Sequence, residues 1–264
     1  SKFWHFRGAL LRGGKNMRDE DIKRIIKENY SKIASSNCGC SCGCGNVNNN
    51  ELIAKSLGYS DTQVGNVSEA NLGLGCGNPT ALGEIKEGEV VLDLGSGAGL
   101  DCFLAADKVG EKGRVIGVDF TDSMIQKATQ NAIKYGYKNV EFRHGDIENL
   151  PIDDNSVDTI LSNCVINLVP NKAKTFKEAY RVLKNGGKMY ISDIVLLQNL
   201  TDDLRMNEML LVSCVAGAIL KEDYLKIIKN AGFEISNTTS DSEISVRQYW
   251  GLPIESLSIV AKKN

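Results

Sequence analysis

The strongest pattern along the chain is an alternation of short apolar runs with amphipathic segments, which begins near Glu89. Apolar runs bounded by glycine or charge predict buried parallel strands, and apolar residues at helical spacing predict the helices between them. The predicted strands are 90–94, 114–120, 140–146, 157–164, 188–196, 233–244 and 256–263. The predicted helices are 102–110, 123–136, 172–187, 200–220 and 222–232. This order favours an α/β fold with a mostly parallel seven-stranded sheet and helices on both of its faces.

The segment before Glu89 has a different character and predicts an N-terminal helical cap. An amphipathic helix is expected at 22–34, a short helix at 51–58 and a helical turn near Gly83. Residues 1–16 differ in character from the rest of the chain, and Met17 opens a conventional start, so we interpret 1–16 as an added tail. The predicted organisation is therefore a tail (1–16), a cap on the acceptor side (17–87) and a core (88–264).

Composition narrows the function classes. The chain has 264 residues, is 42% hydrophobic and 24% charged, and carries a net charge of −2. It has no basic excess typical of nucleic-acid binding and no apolar run near the ~18 residues of a membrane span. Its first residues lack an apolar core long enough for a secretory signal, so we expect none. We therefore predict a cytoplasmic protein with no nucleic-acid or membrane partner. We also expect a monomer.

The first core strand runs directly into a glycine-rich turn, Asp93-Leu-Gly-Ser-Gly-Ala-Gly99. Such a turn lets the backbone approach a ligand at the carboxyl edge of the sheet. Its spacing differs from the G-x-G-x-x-G of dinucleotide sites. Asp119 ends the second strand about 20 residues later, where a carboxylate accepts ribose hydroxyls. The third strand ends in a polar cluster at 144–148, in which we expect His144 to be structural.

Eight cysteines are many for a chain without a secretion signal. In a reducing compartment such thiols are more often ligands or nucleophiles than disulfides. Cys76 lies in a glycine-rich loop, Cys164 ends a strand, and Cys214 falls in a predicted helix. Each of these three cysteines, taken alone, also fits a small buried apolar role. We favour that role for a fourth cysteine, Cys102.

Several segments together resemble the arsenite S-adenosylmethionine methyltransferases, which have the class I, Rossmann-like fold. They are NLGLGCGNPTAL (71–82), VLDLGSGAGLDCFLAADKVG (91–110), IENLPIDDNSVDTILSNCVINLVP (147–170), ISDIV (191–195) and CVAGAILKEDYL (214–225). The resemblance implies S-adenosyl-L-methionine as the cofactor. The implied cofactor-binding residues are Asp93, Gly95, Ser96, Gly97, Gly99, Asp119, Phe120, Thr121, Met124, Gly145, Asp146, Ile147, Glu148 and Asn163.

The same resemblance implies that Cys76, Cys164 and Cys214 bind trivalent arsenic and carry the reaction. Arsenic in this state is soft, and thiolates suit soft ions better than carboxylate or imidazole does. Three thiolates leave the arsenic lone pair free as the nucleophile. The implied function is methylation of arsenite, and of methylarsenite, for arsenic detoxification, with a thiol reductant of the glutathione or thioredoxin type as partner.

Some alternatives stay open. The N-terminal cluster of Cys38, Cys40, Cys42 and Cys44 either scavenges arsenic or soft metal, or relays electrons; its Cys-x-Cys spacing departs from that of zinc sites. The chain could also methylate a small organic acceptor such as a quinone precursor, or another soft metalloid. A metalloid-sequestering protein is a further alternative, although such a protein has no need for a cofactor site.

Overall fold

The computed structural model describes residues 18–35 and 47–264, with side chains from Asn50 onward in the second range. The predicted tail at 1–16 lies outside the described residues. The N-terminal cluster of Cys38, Cys40, Cys42 and Cys44 lies outside them as well.

Seven strands form one sheet. They are β1 (Val90–Leu94), β2 (Arg114–Asp119), β3 (Val140–His144), β4 (Val157–Asn163), β5 (Leu183–Leu196), β6 (Glu234–Asp241) and β7 (Ile254–Lys262). Their order across the sheet is β3-β2-β1-β4-β5-β7-β6. The first five strands pair in parallel, and β7 pairs antiparallel with both β5 and β6. The predicted mostly parallel sheet and its fold class are confirmed.

Helices cover both faces of this sheet. They are α1 (Asp19–Ser35), α2 (Val47–Ser56), α3 (Asp61–Asn66), α4 (Pro79–Leu82), α5 (Leu100–Val109), α6 (Asp122–Tyr135), α7 (Lys172–Val182), α8 (Asp202–Arg205), α9 (Glu208–Val212), α10 (Lys221–Asn230) and α11 (Ile244–Gln248). Two 3₁₀ turns complete the described chain, at Ser68–Ala70 and Ile166–Leu168.

The core follows from the alternation of side chains along β1. Leu92 belongs to the buried cluster that contains Phe176 of α7, whereas Val91 belongs to the cluster that contains Ala105 of α5. Successive side chains of a strand point to opposite faces, so each face needs its own helical cover. Burying a side chain such as Phe176 contributes about 1.5–3 kcal/mol, which anchors the helices to the strands.

Helix α1 is held against the core by charge and hydrogen bonding. Lys23 pairs with Asp146 and Glu148, both in the loop after β3. Lys27 pairs with Asp122 at 2.9 Å. These contacts place α1 at the carboxyl edge of the sheet, and the assignment of 17–87 as a cap stays a prediction.

Helix α7 begins at Lys172 as predicted, but its predicted extension to residue 187 is wrong. Residues 183–187 belong to β5, because Leu183 pairs with Val157 of β4. The amide of Gly186 also donates to the carbonyl of Lys263 at 2.7 Å. Pairing on both sides of the strand therefore outweighs the helical pattern of the sequence.

The single helix predicted at 200–220 is also wrong. The structure has α8 and α9 in its place, and the side chain of Asn207 caps α9 by accepting from the Leu210 amide at 3.1 Å. The chain leaves α9 at Val212, so Cys214 lies in a turn and not in a helix. Helix α2 ends at Ser56, and α3 and α11 were not predicted, although Ser60 and Gln63 form a capping box that marks the start of α3.

Within residues 18–35 and 47–264, no helix combines the length and the apolar character needed to cross a bilayer.

The turn after α9 packs closely on the 3₁₀ turn after β4. A Cβ added to Gly217 would collide with the carbonyl oxygen of Asn167, a backbone atom that has no flexible end. Gly217→Ala should therefore lower the free energy of unfolding by about 1–3 kcal/mol, as overpacking does. Chemical denaturation measures this change.

The matched control is Gly65→Ala in α3, where an added Cβ meets nothing within 4 Å. That change should leave stability unaltered or raise it by up to about 1 kcal/mol, because alanine favours helix. Equal effects of the two substitutions would contradict the close packing of the two turns.

Candidate cofactor cavity and cysteine site

A cavity opens at the carboxyl edge of the sheet, between the strand ends and helices α1 and α2. It holds about 1180 Å³ of empty space, counting its open mouth. Most of the predicted cofactor residues line it: Asp93, Gly95, Ser96, Gly97, Asp119, Phe120, Thr121, Gly145, Asp146, Ile147 and Asn163. The polar ends of three predicted parallel strands and the predicted glycine turn therefore meet at this cavity.

Three predicted residues are not part of the cavity lining. Gly99 caps the start of α5 with φ +98°, and Met124 is fully buried against α1 residues. Glu148 accepts from the Asn171 amide at 2.7 Å and pairs with Lys23. Their direct contact with a cofactor stays a prediction.

The glycine turn brings backbone to the cavity floor. The amides of Gly95 and Ser96 both donate to the Val118 carbonyl, at 2.8 and 3.1 Å, which fastens the turn to β2. Gly97 has φ +51°, and a Cβ built on it meets nothing within 4 Å, so its backbone faces open space. The buried hydroxyl of Ser96 has no hydrogen-bond partner in the described structure. Ser96, a residue of the cavity lining, therefore has an unused polar atom.

Asp119 is fixed at the end of β2. One carboxylate oxygen accepts from the Thr121 amide at 2.8 Å and the other from the Gly97 amide at 3.0 Å. Burial raises the pKa of Asp119, and these backbone donors oppose that effect. Each oxygen keeps a further lone pair for a hydroxyl donor. The His144 side chain is exposed, with a ring nitrogen 2.9 Å from the Phe120 carbonyl, and its structural role stays a prediction.

A buried acidic cluster lies beside the glycine turn, and sequence reasoning missed half of it. Asp101 accepts from Tyr59 at 2.7 Å and from Asn163 at 3.0 Å. The Cys102 thiol donates to Asp93 at 3.2 Å, so this sulfur does more than fill space. Burial, and next the charge of Asp101, raise the pKa of Asp93. None of these carboxylates forms an ion pair within the described part of the chain.

The signal that could have identified Asp101 is its position in the first turn of α5, directly after the glycine turn. Tyr59 carried no such signal, because it reaches the cluster from the loop between α2 and α3. Asn163 joins this cluster to the first cysteine loop, which is the loop that carries Cys76. Its side chain accepts from the Cys76 amide at 3.2 Å and donates to the Gly77 carbonyl at 3.0 Å.

Cys76, Cys164 and Cys214 come from three separate loops and belong to one buried cluster. Cys164 also lines the cavity. The structure joins Cys76 to Cys164 as a disulfide with the Cα atoms 5.8 Å apart. The Cys214 thiol donates to the Cys164 carbonyl at 2.7 Å. The three predicted cysteines are therefore together in one cluster, which reaches the cavity wall at Cys164.

Strands β5 and β7 hold these loops in place. The Ser192 carbonyl accepts from the Cys164 amide at 2.8 Å, and the Ser256 hydroxyl donates to the Cys76 carbonyl at 2.7 Å. A Cβ on Gly77 would lie 2.6 Å from the Ser192 Cβ, so only glycine lets this loop approach β5 so closely.

Two of the cysteines have strained backbones. Cys164 has φ +57° and Cys214 has φ +66°, in the left-handed region that non-glycine residues rarely enter. Such strain costs about 1–3 kcal/mol per residue and concentrates at functional sites. Burial also raises the pKa of the Cys214 thiol well above its usual range, and the nearby charge of Asp193 adds to the rise. Cys214 is therefore a neutral thiol at neutral pH.

Comparison with known proteins agrees with this geometry. The model of the methyltransferase domain family matches residues 85–232. An arsenite methyltransferase of Halobacterium salinarum is 45% identical over 226 residues, which cover 81% of this chain and 58% of that protein. The human arsenite methyltransferase is 40% identical over 168 residues, which cover 60% of this chain and 44% of that protein. This chain thus spans less than two thirds of the length of these curated relatives.

Among solved structures, an arsenic(III) S-adenosylmethionine methyltransferase from Chlamydomonas reinhardtii is 35% identical, with a TM-score of 0.60. The match covers 79% of this chain and 72% of that one. The chain therefore belongs to the arsenite S-adenosylmethionine methyltransferase family, within the class I methyltransferases.

Proposed function

We propose that this protein methylates trivalent arsenic, taking the methyl group from S-adenosyl-L-methionine, as a step in arsenic detoxification. The observation that carries the proposal is the meeting of Cys76, Cys164 and Cys214 in one buried cluster, with Cys164 on the wall of the cavity at the carboxyl edge of the sheet. Family membership supports it, because a protein named as an arsenite methyltransferase is 45% identical to this chain over 81% of the chain's length.

The residues present fit the cofactor. Asp119 would accept its ribose hydroxyls, the Gly97 backbone and the Ser96 hydroxyl would meet its amino-acid part, and Asp146 and Ile147 would line the adenine pocket. The buried acids Asp93 and Asp101 have no cationic partner in the described structure, so a positively charged ligand would offset their desolvation. When bound, the cofactor supplies an electrophilic methyl group on a sulfonium.

The cysteine site suits a neutral substrate. Arsenite at neutral pH is the uncharged trihydroxide, and exchange of each hydroxide for a thiol forms an arsenic–sulfur bond and releases one water. Three exchanges turn three neutral thiols into a neutral arsenic trithiolate. No charge is buried in this process, which matches a site where burial keeps Cys214 protonated. The bound arsenic keeps its lone pair as the nucleophile.

A thiol reductant is part of the proposal. Cys76 and Cys164 are joined in the structure, and a disulfide offers no thiolate to arsenic. Two equivalents of a glutathione-type thiol, or one thioredoxin-type dithiol, would convert it to two thiols and leave as the oxidised disulfide. We further propose a monomer that acts in the cytoplasm, where thiols stay reduced. The N-terminal cysteines then serve as scavenger or electron relay.

The cofactor assignment predicts a specific loss. In Asp119→Asn, an amide NH₂ would face the amide of Gly97 or Thr121, donor against donor, and one ribose acceptor would disappear. Losing hydrogen bonds to a charged group costs about 1.5–3 kcal/mol, or about 10- to 100-fold in affinity. Calorimetric titration with S-adenosylhomocysteine measures the change.

Asp153→Asn is the matched control, because Asp153 is exposed in the loop before β4. It should bind S-adenosylhomocysteine as the wild type does. Unchanged affinity in Asp119→Asn would contradict the assignment of Asp119 to the ribose.

The acceptor assignment is tested by methyl transfer from labelled S-adenosylmethionine to arsenite in the presence of a thiol reductant. Chromatography of the arsenic products should show methylated species for the wild type. Cys76→Ser, Cys164→Ser and Cys214→Ser should each abolish them and leave S-adenosylhomocysteine affinity unchanged, because serine is a poor ligand for soft arsenic.

Ser213→Ala, next to Cys214 and without a thiol, should retain activity. Cofactor binding without methylated arsenic in the wild type would sink the arsenic assignment and favour an organic acceptor. Full turnover in any of the three serine variants would remove that cysteine from the site.

A further inference from the structure

Asp193 is a buried acid beside the cysteines, and the proposed function leaves it without a role. It lies on β5 directly after Ser192 and is completely shielded from solvent. One of its carboxylate oxygens and the sulfurs of Cys76 and Cys164 all lie within 4.8 Å of one another. A carboxylate is costly to bury, so its place next to two arsenic ligands calls for a physical reason.

The carboxylate is held by neutral donors. One oxygen accepts from the Asn167 side chain at 2.9 Å and from the Ile194 amide at 3.0 Å. The other accepts from the Tyr224 hydroxyl at 2.9 Å. These donors fix its position and leave its negative charge in place.

The titratable groups around Asp193 come from several elements. Four of these groups interact with its charge: Lys172 of α7, Tyr224 of α10, Tyr249 after α11, and Cys214. Lys172 is the buried cation of this group, yet it forms no ion pair with Asp193 within 4.0 Å in the described structure. Both oxygens of Asp193 accept hydrogen bonds, from an amide NH₂, a backbone N–H and a hydroxyl, which is the pattern that suits a carboxylate.

The proposed reaction moves a positive charge toward this carboxylate. The arsenic lone pair forms the arsenic–carbon bond, and the carbon–sulfur bond breaks with its electron pair returning to the cofactor sulfur. The sulfonium loses its charge, while the arsenic trithiolate, neutral before the step, becomes a methylarsonium cation. Charge thus appears between the cysteine sulfurs during the step, where it was absent in the ground state.

We infer that Asp193 stabilises the positive charge that develops on arsenic during methyl transfer. The inference rests on the proposed function and adds to it a group that acts on the transition state. A fixed charge aimed at a site of developing charge speeds the step without tightening substrate binding, because the bound arsenic is neutral. This role supplies a physical reason for burying a carboxylate beside a site of neutral thiols.

Asp193→Asn separates this role from a structural one. Its amide oxygen keeps the Asn167 and Ile194 donors, and its NH₂ can donate to the Tyr224 hydroxyl, which reverses direction. Single-turnover methyl transfer would be measured on reduced enzyme preloaded with arsenite, and arsenite affinity would be measured directly by equilibrium dialysis without cofactor.

The expected result is a transfer rate lower by about 10- to 1000-fold, the size of effect that accompanies loss of one electrostatic group. Arsenite affinity and the KM for the cofactor should stay within about 3-fold of the wild type, as expected for an interaction made only in the transition state. Asp193→Ser, also neutral, should show the same split and serves if the asparagine variant does not fold.

The control keeps the carboxylate of Asp193: Asp158→Asn changes a half-buried acid near the start of β4. This variant should transfer methyl groups at close to the wild-type rate. A wild-type rate in Asp193→Asn, or a loss of arsenite affinity that accounts for its whole defect, would overturn the inference. A wild type that methylates no arsenic would overturn the proposed function itself.

Discussion

The parallel pairing of β4 with β5 is the constraint on which the site depends. In that register Asn163 lies opposite Ser192, so the residues after each of these two positions emerge side by side. Cys164 then makes its backbone hydrogen bond to Ser192, and Asp193 comes next to the sulfurs. A one-residue slip would exchange the faces of every side chain in the strand and separate these groups.

The same pairing links the two halves of the proposed chemistry. Asn163 contacts the acidic cluster through Asp101 and the first cysteine loop through the Cys76 amide. One amide side chain therefore connects the two halves. The left-handed backbone at Cys164 and Cys214 costs free energy of folding. Buried carboxylates without cationic partners in the described structure cost free energy as well, and the packing of the sheet offsets both.

Sequence alone predicted the features that local pattern determines. The strands, the glycine turn and Asp119 each carry a signal within a short window, and the family motifs located the three cysteines. It could not predict features set by distant partners. Residues 183–187 form a strand because they pair with β4 and with Lys263. Cys214 lies outside the helix predicted for it, in a turn that packs on Asn167. Tyr59 and Asp193 gained their roles only when folding brought remote segments together.

The central claim is that three cysteines from three loops bind one arsenic atom. Arsenic K-edge X-ray absorption of the reduced protein loaded with one equivalent of arsenite tests it most directly. The account predicts a first shell of three sulfurs and no oxygen, falling to two sulfurs in Cys214→Ser. A first shell of two sulfurs and one oxygen in the wild type, or a shell that the Cys214 substitution leaves unchanged, would contradict it.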